Sequence, residues 1–240
     1  MEDKRNNAFE SNLVSILMPV YNEAATLERA IERVRGVSIL PYRRELVIVD
    51  DGSTDGSGDI LARAARDFHD IRALYHARNR GKGAALKSAL AVSRGNIIIF
   101  QDADLEQDPR DHPRLLAALE SSSAVFGSRN LERATRPQYS HYALGSRFIT
   151  ALVNTLFRAR LTDVNSGYKA LRREALRGIS INADRFNFCE ELTAKLIKSG
   201  VEITEIPISY TPRTFAEGKK IRAWDGVRGV WTVIKYRFVN

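Results

Sequence analysis

The stretch NIIIFQDADLE, residues 96–106, decides the fold of this chain. Residues 96–101 form a short apolar, β-branched run with the length of a buried strand, and the acidic residues Asp102 and Asp104 follow directly. Similar runs alternate with amphipathic segments on both sides of this stretch. The alternation predicts an α/β fold whose central, mostly parallel sheet is flanked by helices.

The alternation can be followed from one element to the next. Further strands are predicted at residues 14–19, 46–50, 71–75 and 124–127, and helices at residues 25–35, 57–68, 83–93 and 109–121. Beyond Arg129 the pattern weakens into a long amphipathic helix at residues 140–157, a loop at 162–169, a helix at 190–199 and a strand at 201–207. The first part therefore has the pattern of strand–helix units stacked into one sheet.

Length and composition predict a single domain. With 240 residues and 44% hydrophobic composition, the chain can bury one core and is too short for two ordinary domains. The predicted catalytic domain covers residues 13–223, between a polar leader at 1–12 and an amphipathic, basic helix at 224–240. The leader lacks the apolar segment of a signal peptide, and the single Cys189 suits a reducing compartment, so we expect a cytoplasmic protein.

The charge of the chain favours anionic partners. Lys and Arg total 37 against 29 Asp and Glu, which gives a net charge of +8. Nucleic acid, phosphorylated small molecules and anionic membranes all fit such a charge. No recognised nucleic-acid motif occurs and acidic residues follow the predicted strands, so a non-enzymatic nucleic-acid-binding module is only a remote alternative.

Membrane contact, if made, is expected to be peripheral. No apolar run approaches the roughly 18 residues that a spanning helix needs. The amphipathic segments 140–157 and 224–238, with their basic flanks, are the expected contacts with the cytoplasmic face of a membrane or with a membrane partner protein. Packing of both segments against the core explains the same pattern equally well.

Three predicted strands end in acidic segments. These segments are PVYNE at residues 19–23, DDGSTD at 50–55 and DADLE at 102–106. Because ligands of parallel sheets bind beyond the carboxyl ends of the strands, the three segments should line one crevice. Converging carboxylates repel one another unless a cation offsets them, and their oxygens suit Mg²⁺ or Mn²⁺, with a diphosphate completing the coordination shell.

Two common nucleotide-binding patterns are missing from the sequence. The first strand lacks the glycine-rich turn of a dinucleotide dehydrogenase. The tripeptide Gly81-Lys82-Gly83 lacks the upstream glycine and the downstream Ser or Thr of a P-loop. It is typical of a polar helix start and of a phosphate contact in about equal measure.

An ordered set of motifs resembles glycosyltransferase family 2, of the GT-A fold. The motifs are PVYNE at residues 19–23, VDDGSTD at 49–55, DADL at 102–105 and GSR at 127–129. Downstream, DVNSGYKALRRE at 163–174 and PRTFAEGKK at 212–220 are similar to the branch of dolichol-phosphate mannose synthase and bacterial polyprenyl-phosphate glycosyltransferases. The resemblance implies a metal-dependent, inverting hexosyltransferase that moves a sugar from a nucleotide diphosphate sugar, of the GDP-mannose or UDP-glucose type, to a polyprenyl or dolichyl phosphate.

The resemblance also implies the residues of the donor site. The nucleotide sugar would be bound by Pro19, Tyr21, Glu23, Asp50, Asp51, Asp102, Ala103, Asp104, Arg213, Lys219 and Lys220. The metal would be bound by Asp102, Asp104 and Glu106, where relatives in the polyprenyl-phosphate branch have Gln in place of Glu106. Asp104 and Arg213 are the expected catalytic residues among these.

On the acceptor side, the resemblance implies that Arg129 and Arg147 hold a phosphate and act catalytically, with Thr150, Asp163 and Ser166 beside them. A phosphate monoester is already an anionic nucleophile and needs no protein base. A sugar or protein hydroxyl would need one. The alternative is therefore a family 2 enzyme directed at a glycan or protein hydroxyl, with Glu190 or Glu191 as base, although both residues also suit a first helical turn.

Overall fold

The structure, a computed structural model, describes residues 12–131, 140–213 and 223–239. Within these ranges one sheet has seven strands in the order β3-β2-β1-β4-β6-β5-β7. The strands are β1 (Leu13–Val20), β2 (Arg43–Asp50), β3 (Ile71–Tyr75), β4 (Ile97–Phe100), β5 (Ala124–Ser128), β6 (Lys169–Arg172) and β7 (Ile203–Pro207). The helices are α1 (Leu27–Gly36), α2 (Ser57–Asp67), α3 (Lys82–Val92), α4 (His112–Ala118), α5 (Ser140–Phe157), α6 (Phe188–Lys198) and α7 (Ala223–Phe238).

The predicted α/β fold with a mostly parallel sheet is confirmed. Strand β1 pairs in parallel with β2 and β4, β2 with β3, and β5 with β7. Only β6 runs antiparallel, between β4 and β5. The sequence prediction missed this strand, because its four residues, KALR, show no recognisable periodicity and acquire strand geometry by pairing with two neighbours.

Both faces of the sheet are buried, which explains the almost continuous apolar runs of its strands. Ile16 and Met18 of β1 pack on one face with residues of α1, α2 and α4, whereas Leu17, between them, packs on the other face with residues of α3 and α6. Successive side chains of a strand point to opposite faces, so helices must cover both. The sheet is thereby held rigid, and its carboxyl-end edge can position polar groups.

Helices α5 and α7 form a smaller layer outside this core. Ile149 and Val153 of α5 pack with Val233 of α7 and with Val164, which lies between α5 and β6. The opposite side of the pair is exposed and carries large apolar residues: Leu144, Phe148, Trp224, Val227, Trp231, Ile234 and Phe238. We call these seven residues the α5–α7 face. No helix in the described ranges has the length and apolarity that crossing a bilayer requires.

Candidate active site

The structure brings the three acidic strand ends to one edge of the sheet. Strand β1 lies between β2 and β4, and Val20 pairs with Asp50 at the end of the ladder. The segment after β1 then bonds to the segment after β2: the Glu23 amide donates to Ser57 Oγ at 2.8 Å, and the Ala24 amide donates to Asp55 at 2.9 Å. Pro19 and Tyr21 are half-buried at this edge, whereas the side chain of Ala103 packs in the core.

Asp51 shapes the loop that precedes α3. Its carboxylate is buried and accepts hydrogen bonds from the amides of Arg80 at 3.0 Å and Gly81 at 2.7 Å. His76 Nδ1 lies 2.6 Å from the same carboxylate, and its Nε2 lies 2.9 Å from Ser88 Oγ. Sequence reasoning missed His76 because a single histidine without ligand spacing carries no signal. The predicted nucleotide contact of Asp51 must share its oxygens with this loop.

Lys82 is the first cation of the site. Its ammonium group lies 2.6 Å from Asp102 Oδ1. Burial alone would lower the pKa of Lys82, but the charge of Asp102 outweighs it and holds the pKa above its usual value. Gly81 and Gly83, on either side, have the backbone of residues 183–184 against the positions where a Cβ would stand. The tripeptide that favoured two interpretations equally therefore begins a helix and also brings a charge to the acidic motif.

Asp104 lies close to the carboxylates of Asp102 and Glu106. Leu105 adopts a left-handed backbone with φ of 61°, which is unusual for a residue with a branched side chain, and the Glu106 amide donates to Asp104 at 3.0 Å. Burial, and then the charges of Asp102 and Glu106, raise the pKa of Asp104 to about 7. A cation beside Asp104 would restore the charged form.

Arg213 already lies beside Asp104 and lowers its pKa, but the pKa stays at about 7, so restoring the charged form takes a further cation. Its guanidinium group donates to Glu23 Oε2 at 2.9 Å and to Asp104 Oδ2 at 3.4 Å. The Arg213 amide donates to Glu106 Oε1 at 2.9 Å, and the Tyr210 hydroxyl donates to Glu106 Oε2 at 2.5 Å. Glu106 thus anchors the segment that carries Arg213. The companion predictions, Lys219 and Lys220, lie outside the described residues.

Arg129 is held by Asp163 on the acceptor side. Two parallel hydrogen bonds of 2.6 and 2.8 Å join the guanidinium to the fully buried carboxylate. Asp163 holds the pKa of Arg129 above its usual value although burial acts against it. The guanidinium carbon also lies 5.0 Å from the centre of the Tyr210 ring, whose hydroxyl reaches Glu106. Tyr210, absent from the sequence predictions, therefore joins the acceptor side to the acidic side.

The loop at residues 163–167 touches the acidic motif directly. A Cβ at Gly167 would lie 2.5 Å from Asp102 Oδ2, so any larger residue there would displace the Asp102 carboxylate. Beneath the loop, the buried Lys169 donates to the carbonyl oxygens of Val164 and Ser166. Sequence reasoning missed Lys169 as a support because its partners are known only from the fold.

The remaining acceptor predictions lie around this loop. Thr150 of α5 is buried, and its Oγ accepts a hydrogen bond from the Val164 amide at 3.2 Å. Ser166 is also buried, and its Oγ accepts from the Tyr168 amide at 3.3 Å. Arg147 is exposed on α5, one residue after Ser146, whose hydroxyl bonds to Asn165. Among the described residues, no hydrogen bond or ion pair joins Arg147 to this loop or to Arg129.

The two base candidates differ in their surroundings. Both carboxylate oxygens of Glu191 have hydrogen-bond partners: they accept from the amides of Asn182 and Ala183 and from Lys195, at 2.5 to 2.8 Å. Glu190 is buried beneath α7; one oxygen accepts from Asn165 at 2.6 Å and the other has no hydrogen-bond partner within the described structure. Burial raises the pKa of Glu190 to about 7. Although burial acts against them, the hydrogen bonds of Glu191 lower its pKa, so of these two residues only Glu190 would gain or lose a proton near neutral pH.

A divalent cation fits this site with few protein ligands. Among the described residues, no group of three or more His, Cys, Asp or Glu side chains is close enough to hold a metal. Asp102, Asp104 and Glu106 follow one strand, but each already contacts Lys82, Arg213 or Tyr210. Mg²⁺ commonly takes one or two carboxylates and completes its shell with substrate phosphates. The carboxylates of the crevice fit that arrangement. A cation would be most favourable beside Asp104, whose pKa is raised by burial and by its acidic neighbours.

Known proteins resemble this chain over most of its length. The model of Glycosyl transferase family 2 matches residues 15–180. The chain is 29% identical over 211 residues to undecaprenyl-phosphate 4-deoxy-4-formamido-L-arabinose transferase of Proteus mirabilis, a match that covers 87% of this chain and 63% of that protein. It is 28% identical over 217 residues to undecaprenyl-phosphate mannosyltransferase of Micrococcus luteus, covering 86% of each. The chain thus spans less than two thirds of the Proteus protein.

Solved structures share the fold. The crystal structure of glucosyl-3-phosphoglycerate synthase from Mycobacterium tuberculosis, in complex with Mn²⁺, uridine diphosphate and phosphoglyceric acid, superimposes with a TM-score of 0.73 at 21% identity. The match covers 98% of this chain and 83% of that one. This likeness confirms the predicted GT-A architecture.

Proposed function

This chain belongs to glycosyl transferase family 2, and from that premise we propose that it is a metal-dependent, inverting hexosyltransferase. The donor is a nucleotide diphosphate sugar, and the acceptor is a polyprenyl phosphate. One observation carries the acceptor assignment: Arg129 is bonded to Asp163 of the loop at residues 163–167 and Arg147 is exposed on α5, whereas Glu190 and Glu191 are buried. Cationic side chains suit an anionic phosphate nucleophile, which needs no protein base, whereas a hydroxyl acceptor would need a base within hydrogen-bond reach.

On the donor side, the edge of the sheet would hold the nucleotide. Pro19, Tyr21, Glu23, Asp50 and Asp51 would contact the nucleoside, with Asp102 and the Ala103 backbone near the ribose. This assignment is supported by the position of these residues at or just beyond the carboxyl ends of β1, β2 and β4, where ligands of parallel sheets bind.

The leaving diphosphate gains negative charge as its bond to the sugar breaks. Arg213 and Lys82 bring positive charge to Asp104 and Asp102 at that edge, and Lys219 and Lys220 would add to it. Cationic groups that meet developing charge lower the barrier. Mg²⁺ or Mn²⁺, held by one or two of the carboxylates of Asp102, Asp104 and Glu106, would polarise the diphosphate when bound.

The acceptor phosphate would be oriented by Arg129 and Arg147, with Asp163 fixing the plane of the Arg129 guanidinium. A phosphate oxygen attacks the anomeric carbon from the face opposite the diphosphate. The new carbon–oxygen bond forms as the old one breaks, which inverts the configuration. Since the nucleophile is already an anion, orientation is the main contribution of these residues.

The α5–α7 face would place the enzyme against an anionic membrane, where a polyprenyl phosphate resides. It exposes seven large apolar side chains, and α7 carries Arg228, Lys235 and Arg237. A surface with exposed aromatic residues and basic neighbours suits an anionic bilayer. A membrane partner protein is the other surface that such a face could meet.

A transfer assay tests the proposed function. Purified protein is incubated with Mn²⁺ and either GDP-mannose or UDP-glucose, with a short-chain polyprenyl phosphate or with sugar and peptide hydroxyl acceptors. We expect transfer to the lipid phosphate from one of the donors. Transfer to a hydroxyl acceptor alone would favour the rival enzyme with Glu190 as base, which its buried carboxyl with a pKa of about 7 keeps open.

A further inference from the structure

The guanidinium group of Arg213 lies among three carboxylates. Nη1 is 2.9 Å from Glu23, Nη2 is 3.4 Å from Asp104 and Nε is 3.7 Å from Glu106. All four side chains are largely shielded from solvent, and Nε makes no hydrogen bond in the described structure. The group therefore works as a shared counter-charge and not as a partner fitted to one acid.

The backbone that carries Arg213 is fixed to the acidic segment. The Thr211 amide donates to the Glu106 carbonyl at 2.8 Å, and the Arg213 amide donates to the Glu106 carboxylate at 2.9 Å. Further back, the Ser209 amide donates to Asp111 at 2.7 Å. The chain is thus held in place up to residue 213, and the charged side chain can change partners without moving the strand end.

A hard cation and the guanidinium compete for the same oxygens. A metal ion that binds Asp104 meets an Arg213 side chain already placed at that carboxylate. A diphosphate that arrives with the metal offers the guanidinium new anionic partners, since Arg pairs well with phosphate oxygens. A metal ion that arrives alone offers none.

We propose that Arg213 is a built-in counter-cation that keeps divalent metal ions out of the carboxylate cluster until a nucleoside diphosphate accompanies them. This inference rests on the proposed function, since it assumes that the metal and the donor bind at this edge. Binding of the two is coupled through Arg213, and coupling of this kind is reciprocal. The site then remains closed to free metal and assembles only around the complete donor.

The test measures Mn²⁺ binding to the full chain by electron paramagnetic resonance or calorimetry, without nucleotide and with UDP or GDP. For Arg213→Ala we expect Mn²⁺ alone to bind about tenfold tighter than to the native protein, and the gain from adding UDP or GDP to fall about tenfold. Arg213→Lys, which keeps the charge, should bind Mn²⁺ alone as weakly as the native protein.

Two controls locate the effect. Arg110→Ala removes an equal charge from a highly exposed position paired with Asp108, and it should leave Mn²⁺ binding unchanged. Asp104→Asn in the Arg213→Ala background should abolish the tighter binding. Thermal unfolding of each variant establishes that it is folded.

Equal or weaker binding of Mn²⁺ alone to Arg213→Ala would overturn the inference, as would no Mn²⁺ binding to any variant. The proposed function fails separately: the native protein would then transfer no sugar to a lipid phosphate, whatever the Mn²⁺ titration shows.

Discussion

The strand-end crevice and the α5–α7 face depart from the usual division of polar and apolar groups in opposite ways. In the crevice, charged groups are buried or shielded, including Asp51, Asp163 and Lys169. On the face, large apolar groups such as Trp224 and Trp231 are about two-thirds exposed, at 69% and 67%. Burying charged groups and exposing large apolar groups both lower the stability of the folded chain, and neither is needed to form the sheet.

The two regions differ in how that cost is met. The crevice balances its charges within the described chain, through the pairs of Lys82 with Asp102 and Arg129 with Asp163 and through the shared Arg213. The face leaves side chains in water that would each contribute about 1.5–3 kcal/mol if fully buried. We therefore expect the crevice to bind small charged ligands and the α5–α7 face to meet a surface outside the described residues.

Removing the charge of Asp104 should have the largest effect. Asp104→Asn is expected to lower kcat for sugar transfer by about 10²–10³-fold, because it removes a proposed ligand of the metal ion that offsets the charge on the leaving diphosphate. Since burial and its acidic neighbours raise the pKa of Asp104 to about 7, the neutral variant should be at least as stable as the native protein at pH 8.

Asp108→Asn is the matched control. Asp108 stands four residues further along, where it caps the turn at Pro109–Asp111 and pairs with exposed Arg110. The kcat of Asp108→Asn should stay within about threefold of the native value, since Asp108 is not among the residues proposed to bind the donor, the acceptor or the metal. Comparable losses of kcat in both variants would mean that Asp104 supports the fold and not the transfer reaction.

Glu190 lies between the crevice and the α5–α7 face, with Asn165 of the loop at residues 163–167 on one side and Gly229 of α7 on the other. Burial raises its pKa to about 7 from 4.5, so its favourable contribution is fully present below pH 4.5 and is lost as the pH rises through 7. Glu190→Gln should therefore match the native free energy of unfolding near pH 4.5 and exceed it at pH 8, by at most about 3 kcal/mol.

Urea unfolding at several pH values measures this difference, and a pH-independent difference would contradict it. The same variant bears on the acceptor. Transfer to a phosphate acceptor should persist in Glu190→Gln, whereas loss of all transfer with the fold intact would identify Glu190 as a base.

The face is tested by replacing its two tryptophans. Trp224→Ser with Trp231→Ser should weaken binding to anionic liposomes at least about tenfold, since each ring removes apolar surface from the contact. Transfer to a water-dispersed short-chain acceptor should be unchanged. Leu40→Ser, which alters an exposed apolar residue outside the face, is the control and should co-sediment like the native protein. Equal sedimentation of all three proteins would remove the membrane from the account.

The smallest expected effect concerns two glycines of α7. A Cβ at Gly229 would lie 2.6 Å from Glu190 Oε1, whereas a Cβ at Gly226 would have nothing within 4 Å. Gly226→Ala should raise the free energy of unfolding by about 0.5–1 kcal/mol, and Gly229→Ala should lower it by about 1 kcal/mol through crowding. Thermal unfolding distinguishes them. Two changes of the same sign would mean that α7 does not rest on Glu190.

The sequence predicted regular elements and strand ends better than it predicted contacts. Helix 140–157 and strand 71–75 have the predicted bounds. The short β6 was missed, since pairing and not pattern makes it a strand. The bond between Arg129 and Asp163 joins residues 34 positions apart, and that between Arg213 and Glu23 joins residues 190 apart. Such partners depend on the folded sheet, which local pattern does not specify.

The acceptor atom is the central claim, and phosphorus NMR tests it most directly. A short-chain polyprenyl phosphate is incubated with the native protein, Mn²⁺ and the donor that supports transfer, and the lipid product is then separated from the nucleotides. We expect the phosphomonoester resonance of the lipid to be replaced by a phosphodiester resonance, with the sugar inverted at its anomeric carbon. A lipid phosphomonoester that stays unchanged while sugar appears on a hydroxyl acceptor would contradict the account.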